Sequence, residues 1–246
     1  MELKNIFKME MFKNRNDVPY LWVITILTAM AAVASVLGVV IIENFSSLDD
    51  MPMLYILEIL LAVFTVIGLG IFSLLYPFHL LNIDYKNKVM SLIFASGVSR
   101  EKYYFVKISA TILTCLIAMF VILFIPMVTF LIVYPEVFVN MMQHFFEEFT
   151  VLDIVPFVLM ALFSFLAYYV MLTTAVIITK GKVAGIFLYF GFSFAVSIIQ
   201  GMFSFPLILS MENNIHSYFY LTTVYSIIQI VVFVLIGLQV LKKQDL

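Results

Sequence analysis

The side chains that most often carry chemistry are few in this sequence, and they are widely spaced. The three histidines, His79, His144 and His216, have no partner at the spacing of metal ligands. The one cysteine, Cys115, lies in an apolar segment and cannot form an internal disulfide. No glycine begins a G-x-x-x-x-G-K-[ST] phosphate loop, and the H-E-x-x-H and G-x-S-x-G patterns are absent. We therefore expect no catalytic, cofactor-binding or metal-ligating residue in this chain.

The composition indicates what kind of scaffold holds the remaining polar residues. Apolar residues make up 64% of the 246 residues and charged residues only 11%, against about 45–50% and 25% in soluble domains. The mean hydropathy is +1.14. Six apolar segments, each long enough to cross a bilayer as a helix, lie at 20–42, 54–79, 108–134, 154–178, 183–209 and 218–241. We predict an all-α integral membrane protein with six transmembrane helices in a single domain, 1–246.

The basic residues are confined to alternate connections between these segments. Of the 13 Lys and Arg residues, four precede the first segment, five lie between the second and third, two lie between the fourth and fifth, and two follow the sixth. The opposite connections carry acidic residues and no Lys or Arg. Because basic connections stay on the cytoplasmic side of a membrane, we predict that both termini are cytoplasmic.

Two stretches outside the six segments have a helical pattern, and a proline lies near the end of the fifth segment. One helical face of 1–19 is formed by Leu3, Ile6, Phe7 and Met11. Although Glu10 falls within that face, the pattern predicts an interfacial helix; a charged leader with partial helicity is the alternative. At 135–153, separated apolar and acidic faces predict an amphipathic helix on the outer surface. Near the end of the fifth segment, Pro206 should end or bend the helix, and whether part of the chain from there to the sixth segment forms a re-entrant piece is left open.

The connection between the second and third segments, 84–107, is short, basic and patterned as helix, break, helix. Asp84 is a suitable N-cap for a first short helix. One face of that helix comprises Val89, Leu92 and Ile93. Gly97 is a natural helix stop, and Ser99 can cap a second helix that continues into the third segment. A displacement of the first helix would then reach a membrane span without passing through a flexible linker.

This arrangement resembles the permease subunits of the ABC type 2 transporter family, in which an interfacial N-terminal helix precedes six spans. In that family the same connection holds an acidic residue, a short coupling helix and a basic P-V-S-R segment ending in Lys. The stretch GVSREKYYFVK is similar to that segment, with Gly97 in place of the proline, followed by Val98, Ser99, Arg100 and Lys107. Asp84 stands where the family commonly has glutamate. The small outer loops are most similar to those of short Gram-positive permeases that export peptides, bacteriocins or phenol-soluble modulins.

The resemblance implies an exporter in the bacterial plasma membrane that works with other chains. These are a second permease copy, identical or paralogous, and a cytoplasmic ABC ATPase that binds ATP and Mg²⁺. This chain would hold no cofactor, contact the lipid bilayer and bind no nucleic acid. The implied cargo is hydrophobic or amphipathic: a peptide toxin, an antimicrobial peptide, a drug or a lipid. The residues expected to couple the chain to the ATPase are Asp84, Lys86, Lys88, Val89, Leu92, Ile93, Gly97, Ser99, Arg100 and Lys107.

Three further residues, Glu58, Pro126 and Gln200, are candidates for the translocation path. Glu58 is the only acid inside an apolar segment, and the alternative is that its side chain extends toward the outer surface. Pro126 should bend the third span, and Gln200 has a hydrogen bond between helices as its alternative role.

The sequence leaves two alternatives to a permease. One is a membrane-embedded resistance or sensor protein that binds its ligand without transporting it. The other is an intramembrane enzyme, which the missing motifs disfavour.

Overall fold

The computed structural model describes residues 3–44, 52–87, 89–133, 135–136, 139–140, 143–144, 151–210 and 215–244. Within those ranges the chain is helical and contains no strand. The helices are α1 (Leu3–Arg15), α2 (Val18–Asn44), α3 (Pro52–Lys86), α4 (Val89–Ala95), α5 (Arg100–Val133), α6 (Val151–Ile178), α7 (Ala184–Ser210) and α8 (Ile215–Lys243).

Six helices in the described part of the chain are long and apolar enough to cross a membrane. Their spanning segments are Val18–Gly38, Ile56–Lys86, Arg100–Val133, Ile154–Ile178, Ala184–Phe203 and Ser217–Lys243. Within the described residues, the predictions of an all-α fold and of six helices able to span a membrane are confirmed. Helices α1 and α4 also form within 1–19 and 84–107, where short helices are predicted.

Helix boundaries differ from the predictions where a helix continues beyond its apolar segment. Helix α3 runs on to Lys86, so Asp84 lies in its last turn, and the prediction that Asp84 caps the start of α4 is wrong. The physical reason is that no glycine or proline follows His79 in this helix, and a change from apolar to polar side chains does not by itself end a helix. Pro206 does not end α7, which continues to Ser210. Most of the predicted outer helix, 135–153, and residues 211–214 lie outside the described residues.

Internal contacts divide the chain into two compact units. The first unit comprises Met1–Glu10, Pro77–Ile112 and Phe149–Leu246, and the second comprises Met11–Tyr76 and Leu113–Glu148. Buried apolar side chains lie in both units.

In the first unit, α6 and α8 are joined by a close approach of their backbones. The Thr174 hydroxyl donates a hydrogen bond across the two helices to the Phe233 carbonyl at 2.9 Å. A Cβ added at Gly237 would lie only 2.8 Å from the Tyr104 hydroxyl oxygen. Small residues at such positions allow membrane helices to pack closely, so α8 needs glycine at this position to lie against α5 and α6.

The turn between α6 and α7 also depends on a glycine. Lys180 and Gly181 have positive φ values of 50° and 73°, and the Gly181 N–H donates to the Val176 carbonyl at 2.9 Å to complete the end of α6. A Cβ on Gly181 would lie 2.5 Å from the Asn82 side-chain oxygen. The turn is therefore packed directly against the end of α3.

In the second unit, three aromatic rings and two hydrogen bonds connect the helices. Tyr76 stacks on Tyr20 with ring centroids 4.0 Å apart and on Phe72 with centroids 5.2 Å apart. The Tyr20 hydroxyl donates to the Thr114 carbonyl at 3.1 Å, and the Asn14 amide donates to the Thr114 hydroxyl at 3.0 Å. Within this unit, α2 is thereby held against α3 and α5.

Candidate functional site

The connection between α3 and α5 has the helix, break, helix form that the sequence predicts. Helix α4 is followed by Gly97, whose φ of 87° is readily adopted by glycine, and the Gly97 N–H donates to the Phe94 carbonyl at 3.0 Å. Ser99 caps the next helix, since its side-chain oxygen accepts from the Lys102 N–H at 3.4 Å. From Arg100 the chain is helical without interruption through the third span. The stop, the cap and the continuation lie at the predicted residues.

Helix α4 is packed on one side and exposed on the other. Met90 is 4% exposed, whereas Leu92 is 69% exposed. Successive helical residues turn by about 100°, so these two side chains lie on nearly opposite faces. Val89 and Ile93 are half-buried. Of the three apolar residues predicted to share a face, Leu92 is the one that is presented outward.

A buried group of charged and polar side chains, which we call the ion cluster, lies beside α4 in the first unit. Its members are Glu10, Asp84, Tyr103 and Lys107. The Lys107 ammonium lies 2.7 Å from a Glu10 carboxylate oxygen and also pairs with Asp84. The Tyr103 hydroxyl donates to the same Asp84 oxygen. Glu10 and Asp84 are 0% exposed and Lys107 is 3% exposed, so water does not screen these interactions.

The ion cluster connects three helices that are distant in the sequence. Tyr103 and Lys107 are one turn apart on α5 and share a face, while Glu10 comes from α1 and Asp84 from the last turn of α3. A buried charge without a partner is strongly destabilising. The cluster therefore holds α1 and the last turn of α3 against the first turns of α5.

A second set of contacts joins the start of α5 to α4 and to the C-terminal end of α8. One nitrogen of the Arg100 guanidinium donates to the Leu241 carbonyl at 2.7 Å and to the Lys242 carbonyl at 2.6 Å. The same guanidinium lies over the Phe94 ring of α4, 5.5 Å from its centroid. Nearby, the Lys242 ammonium lies 2.6 Å from a Glu101 oxygen, but both of these side chains are 56% exposed.

The ten predicted coupling residues fall into groups with different surroundings. Asp84 and Lys107 are buried in the ion cluster, and Arg100 is directed toward α8. Lys86 and Leu92 are exposed, and Val89 and Ile93 are half-buried. Gly97 and Ser99 form the break between the helices. Lys88 lies outside the described residues. The predicted set therefore combines outward-facing residues with residues that organise the interior.

Sequence reasoning missed three residues of this site: Glu10, Tyr103 and Phe94. The signal for Glu10 was its position within the apolar face of α1, where an acid requires a buried partner. Tyr103 lies four residues before Lys107, and its spacing on α5 could have suggested a shared face. Phe94 had no signal, because its edge-to-face contact with Tyr103, at 5.4 Å between ring centroids, depends on how α4 folds back.

The three candidates for the translocation path lie in both units. In the second unit, Glu58 is half-buried on α3, with a carboxylate oxygen 3.7 Å from where a Cβ on Gly38 of α2 would lie. Pro126, in the same unit, is inside α5 and does not end it. Gln200 belongs to the first unit and is half-buried on α7.

Among the described residues, no three His, Cys, Asp or Glu side chains are grouped as metal ligands. Comparisons with protein-family models, with curated proteins and with solved structures found no match to this chain. The fold defines a multi-pass helical membrane protein. Its most organised polar site surrounds a short helix that connects the second and third spans.

Proposed function

We propose that this chain is the transmembrane permease subunit of an ATP-binding-cassette exporter. With a second copy, identical or paralogous, it forms an outward path for a hydrophobic or amphipathic cargo: a peptide toxin, an antimicrobial peptide, a drug or a lipid. A separate cytoplasmic ATPase binds ATP and Mg²⁺ and supplies the energy. The chain lies in a bacterial plasma membrane with both termini in the cytoplasm.

The observation that carries this proposal is the setting of α4. This seven-residue helix presents Leu92 outward and is separated by one short break from α5, which is 34 residues long. At 1.5 Å per residue, α5 extends for about 50 Å. A partner that displaces α4 acts on a stiff helix that continues across the membrane, and this suits the chain to receive mechanical work.

The charge distribution supports a cytoplasmic position for α4. The connection that contains it has five of the 13 basic residues, more than any other part of the chain. Basic connections remain in the cytoplasm, where an ATPase has access to nucleotide. We expect the ATPase surface that receives α4 to be acidic, because complementary charge guides association.

The coupling residues have two roles in this proposal. Lys86 and Leu92, which are exposed, contact the ATPase, whereas Asp84, Lys107 and Arg100 fix the helices on which α4 acts. In this proposal α1 lies in the membrane interface on the cytoplasmic side. This position suits a helix whose Lys4 and Lys8 side chains are exposed and whose Glu10 side chain is buried.

The proposal is tested by purifying the tagged chain from its host membrane and identifying the proteins retained with it. We expect an ATPase of roughly 200–300 residues, the size of one or two ordinary domains. The pair is then reconstituted in vesicles, and candidate peptides, drugs and lipids are screened for export and for stimulation of ATP hydrolysis. Cargo binding without ATP-dependent export would instead favour the resistance or sensor protein.

A matched pair of substitutions tests the role of α4. Leu92→Asp places a charge at a 69% exposed position and should weaken ATPase binding at least about tenfold, as expected for a central interface residue. Val183→Asp places the same charge at a 65% exposed position just before α7 and should not weaken it. Equal ATPase affinity and export in both variants would contradict the coupling role of α4.

A further inference from the structure

Arg100 contacts the ends of two helices that are not adjacent in the chain. The carbonyls of Leu241 and Lys242, in the last turn of α8, lack partners within their own helix. They are also at the negative end of the helix dipole, where a cation is favourable. The guanidinium donates to both at 2.7 and 2.6 Å. Arg100 therefore supplies a charged cap to the sixth span.

The same guanidinium reaches α4 through an aromatic ring. Phe94 lies 5.5 Å from the guanidinium carbon, within the range of a cation–π interaction. The Phe94 ring also meets Tyr103 edge to face. A displacement of α4 that moves Phe94 must therefore break or carry along its contact with Arg100.

A glutamine holds the end of α8 in the position that Arg100 contacts. Gln244 is 6% exposed, and its amide donates to the Ile177 carbonyl at the end of α6 at 2.6 Å. Its side-chain oxygen accepts from the Tyr85 hydroxyl of α3 at 3.1 Å. Gln244 thereby fixes this end of α8 to both α6 and α3. A displacement transmitted through Arg100 therefore acts on an ordered helix end.

We propose that Arg100 is a positioning residue that couples α4 to the sixth span, so that a displacement of α4 reaches α8 as well as α5. The α5 route is covalent and runs into the third span, whereas the α8 route passes through Phe94, Arg100 and the last carbonyls of α8. The function of this coupling rests on the proposed role of α4 as the contact for the ATPase. The exposed pair of Lys242 and Glu101 contributes little, because solvent screens it.

The first arm of the test uses the purified chain in lipid nanodiscs, without any ATPase, and measures amide hydrogen exchange. Arg100→Gln should speed exchange about 10- to 100-fold in both α4 and the last turn of α8, which is the range for losing hydrogen bonds from a charged group. Lys102→Gln removes the same charge from an exposed neighbour on α5 and should leave both regions unchanged. Arg100→Lys, which retains a cation and donors, should restore part of the protection.

The second arm uses the chain reconstituted with its ATPase and measures cargo exported per ATP hydrolysed. Arg100→Gln should lower that ratio at least threefold while the rate of ATP hydrolysis stays near that of Lys102→Gln; a general folding defect would lower hydrolysis as well. Arg100→Lys should recover part of the ratio. Unchanged exchange at the end of α8 in Arg100→Gln, or an unchanged export ratio, would overturn the coupling. Failure to bind any ATPase would refute the proposed function, while the exchange data still decide whether Arg100 couples α4 to α8.

Discussion

Lys107→Met is the substitution that most directly tests the ion cluster. Methionine keeps much of the length and apolar stem of lysine but removes the ammonium that pairs with Glu10 and Asp84. Two carboxylates would then remain in an interior where neither is exposed. We expect a large loss of stability, because the partner charges cannot be compensated by water.

The magnitude follows from the burial of the pair. Removing one partner of a buried ion pair costs about 3–5 kcal/mol. For a chain of 150–250 residues, each 1 kcal/mol shifts the melting temperature by about 2–4 °C. Lys107→Met should therefore lower the melting temperature by roughly 6–20 °C. Adding Glu10→Gln to this variant should recover part of the loss, since one of the two buried carboxylates is then neutral.

The chain contains a reporter for this measurement. Its one cysteine, Cys115, is buried, so a maleimide dye that fluoresces on reaction with thiols reports unfolding during heating. The matched control is Lys242→Met, which removes the same ammonium from an ion pair whose partners are both 56% exposed. The control should melt at the wild-type temperature within error. If Lys107→Met melted no earlier than Lys242→Met, the cluster would not be the buried connection described above.

Three further outcomes are expected. Gly237→Ala should lower the free energy of unfolding by about 1–3 kcal/mol, because the added Cβ comes too close to α5. The control Gly191→Ala, where a Cβ meets nothing within 4 Å, should be neutral or slightly stabilising in the same thiol assay. Equal melting temperatures for the two variants would contradict the packing of α8. Gly181→Ala should lower the melting temperature more than Gly97→Ala. Both glycines have positive φ, but only at Gly181 would an added Cβ collide with neighbouring side chains. A lower melting temperature for Gly97→Ala in the same assay would count against the packed turn. Glu58→Gln should reduce export by reconstituted vesicles without lowering the melting temperature, and unchanged export would mean that the carboxylate only extends to the membrane surface.

The six spans could be predicted because hydropathy is a local property of about 20 residues. The break at Gly97 and the cap at Ser99 were predictable for a similar reason: each depends on one residue and its immediate neighbours. The end of α3 was predicted too early, because membrane helices are not obliged to end where the apolar segment ends. Asp84 was thereby assigned to the start of one helix when it belongs to the end of another.

The partners of the charged residues could not be predicted to the same extent. Lys107 and Arg100 were both expected to couple the chain to an ATPase, yet the structure pairs one with Glu10 and Asp84 and directs the other to the end of α8. Such pairings depend on how helices pack, and the spacing of residues along one helix carries no information about a second helix. Only Glu10, an acid within an apolar face, indicated in advance that a buried partner was required.

The pairing of Glu10 with Lys107 has a consequence for biogenesis. The two residues are 97 positions apart, so the ribosome needs roughly 5–20 s to add the lysine after the glutamate at ordinary elongation rates. During that interval the first two spans can already have entered the bilayer, while the Glu10 carboxylate of α1 has not yet met the lysine with which it pairs. Helix α1 can form this pair only after the start of α5 has been synthesised, so α1 takes its final place later than the first two spans, although it precedes them in the chain.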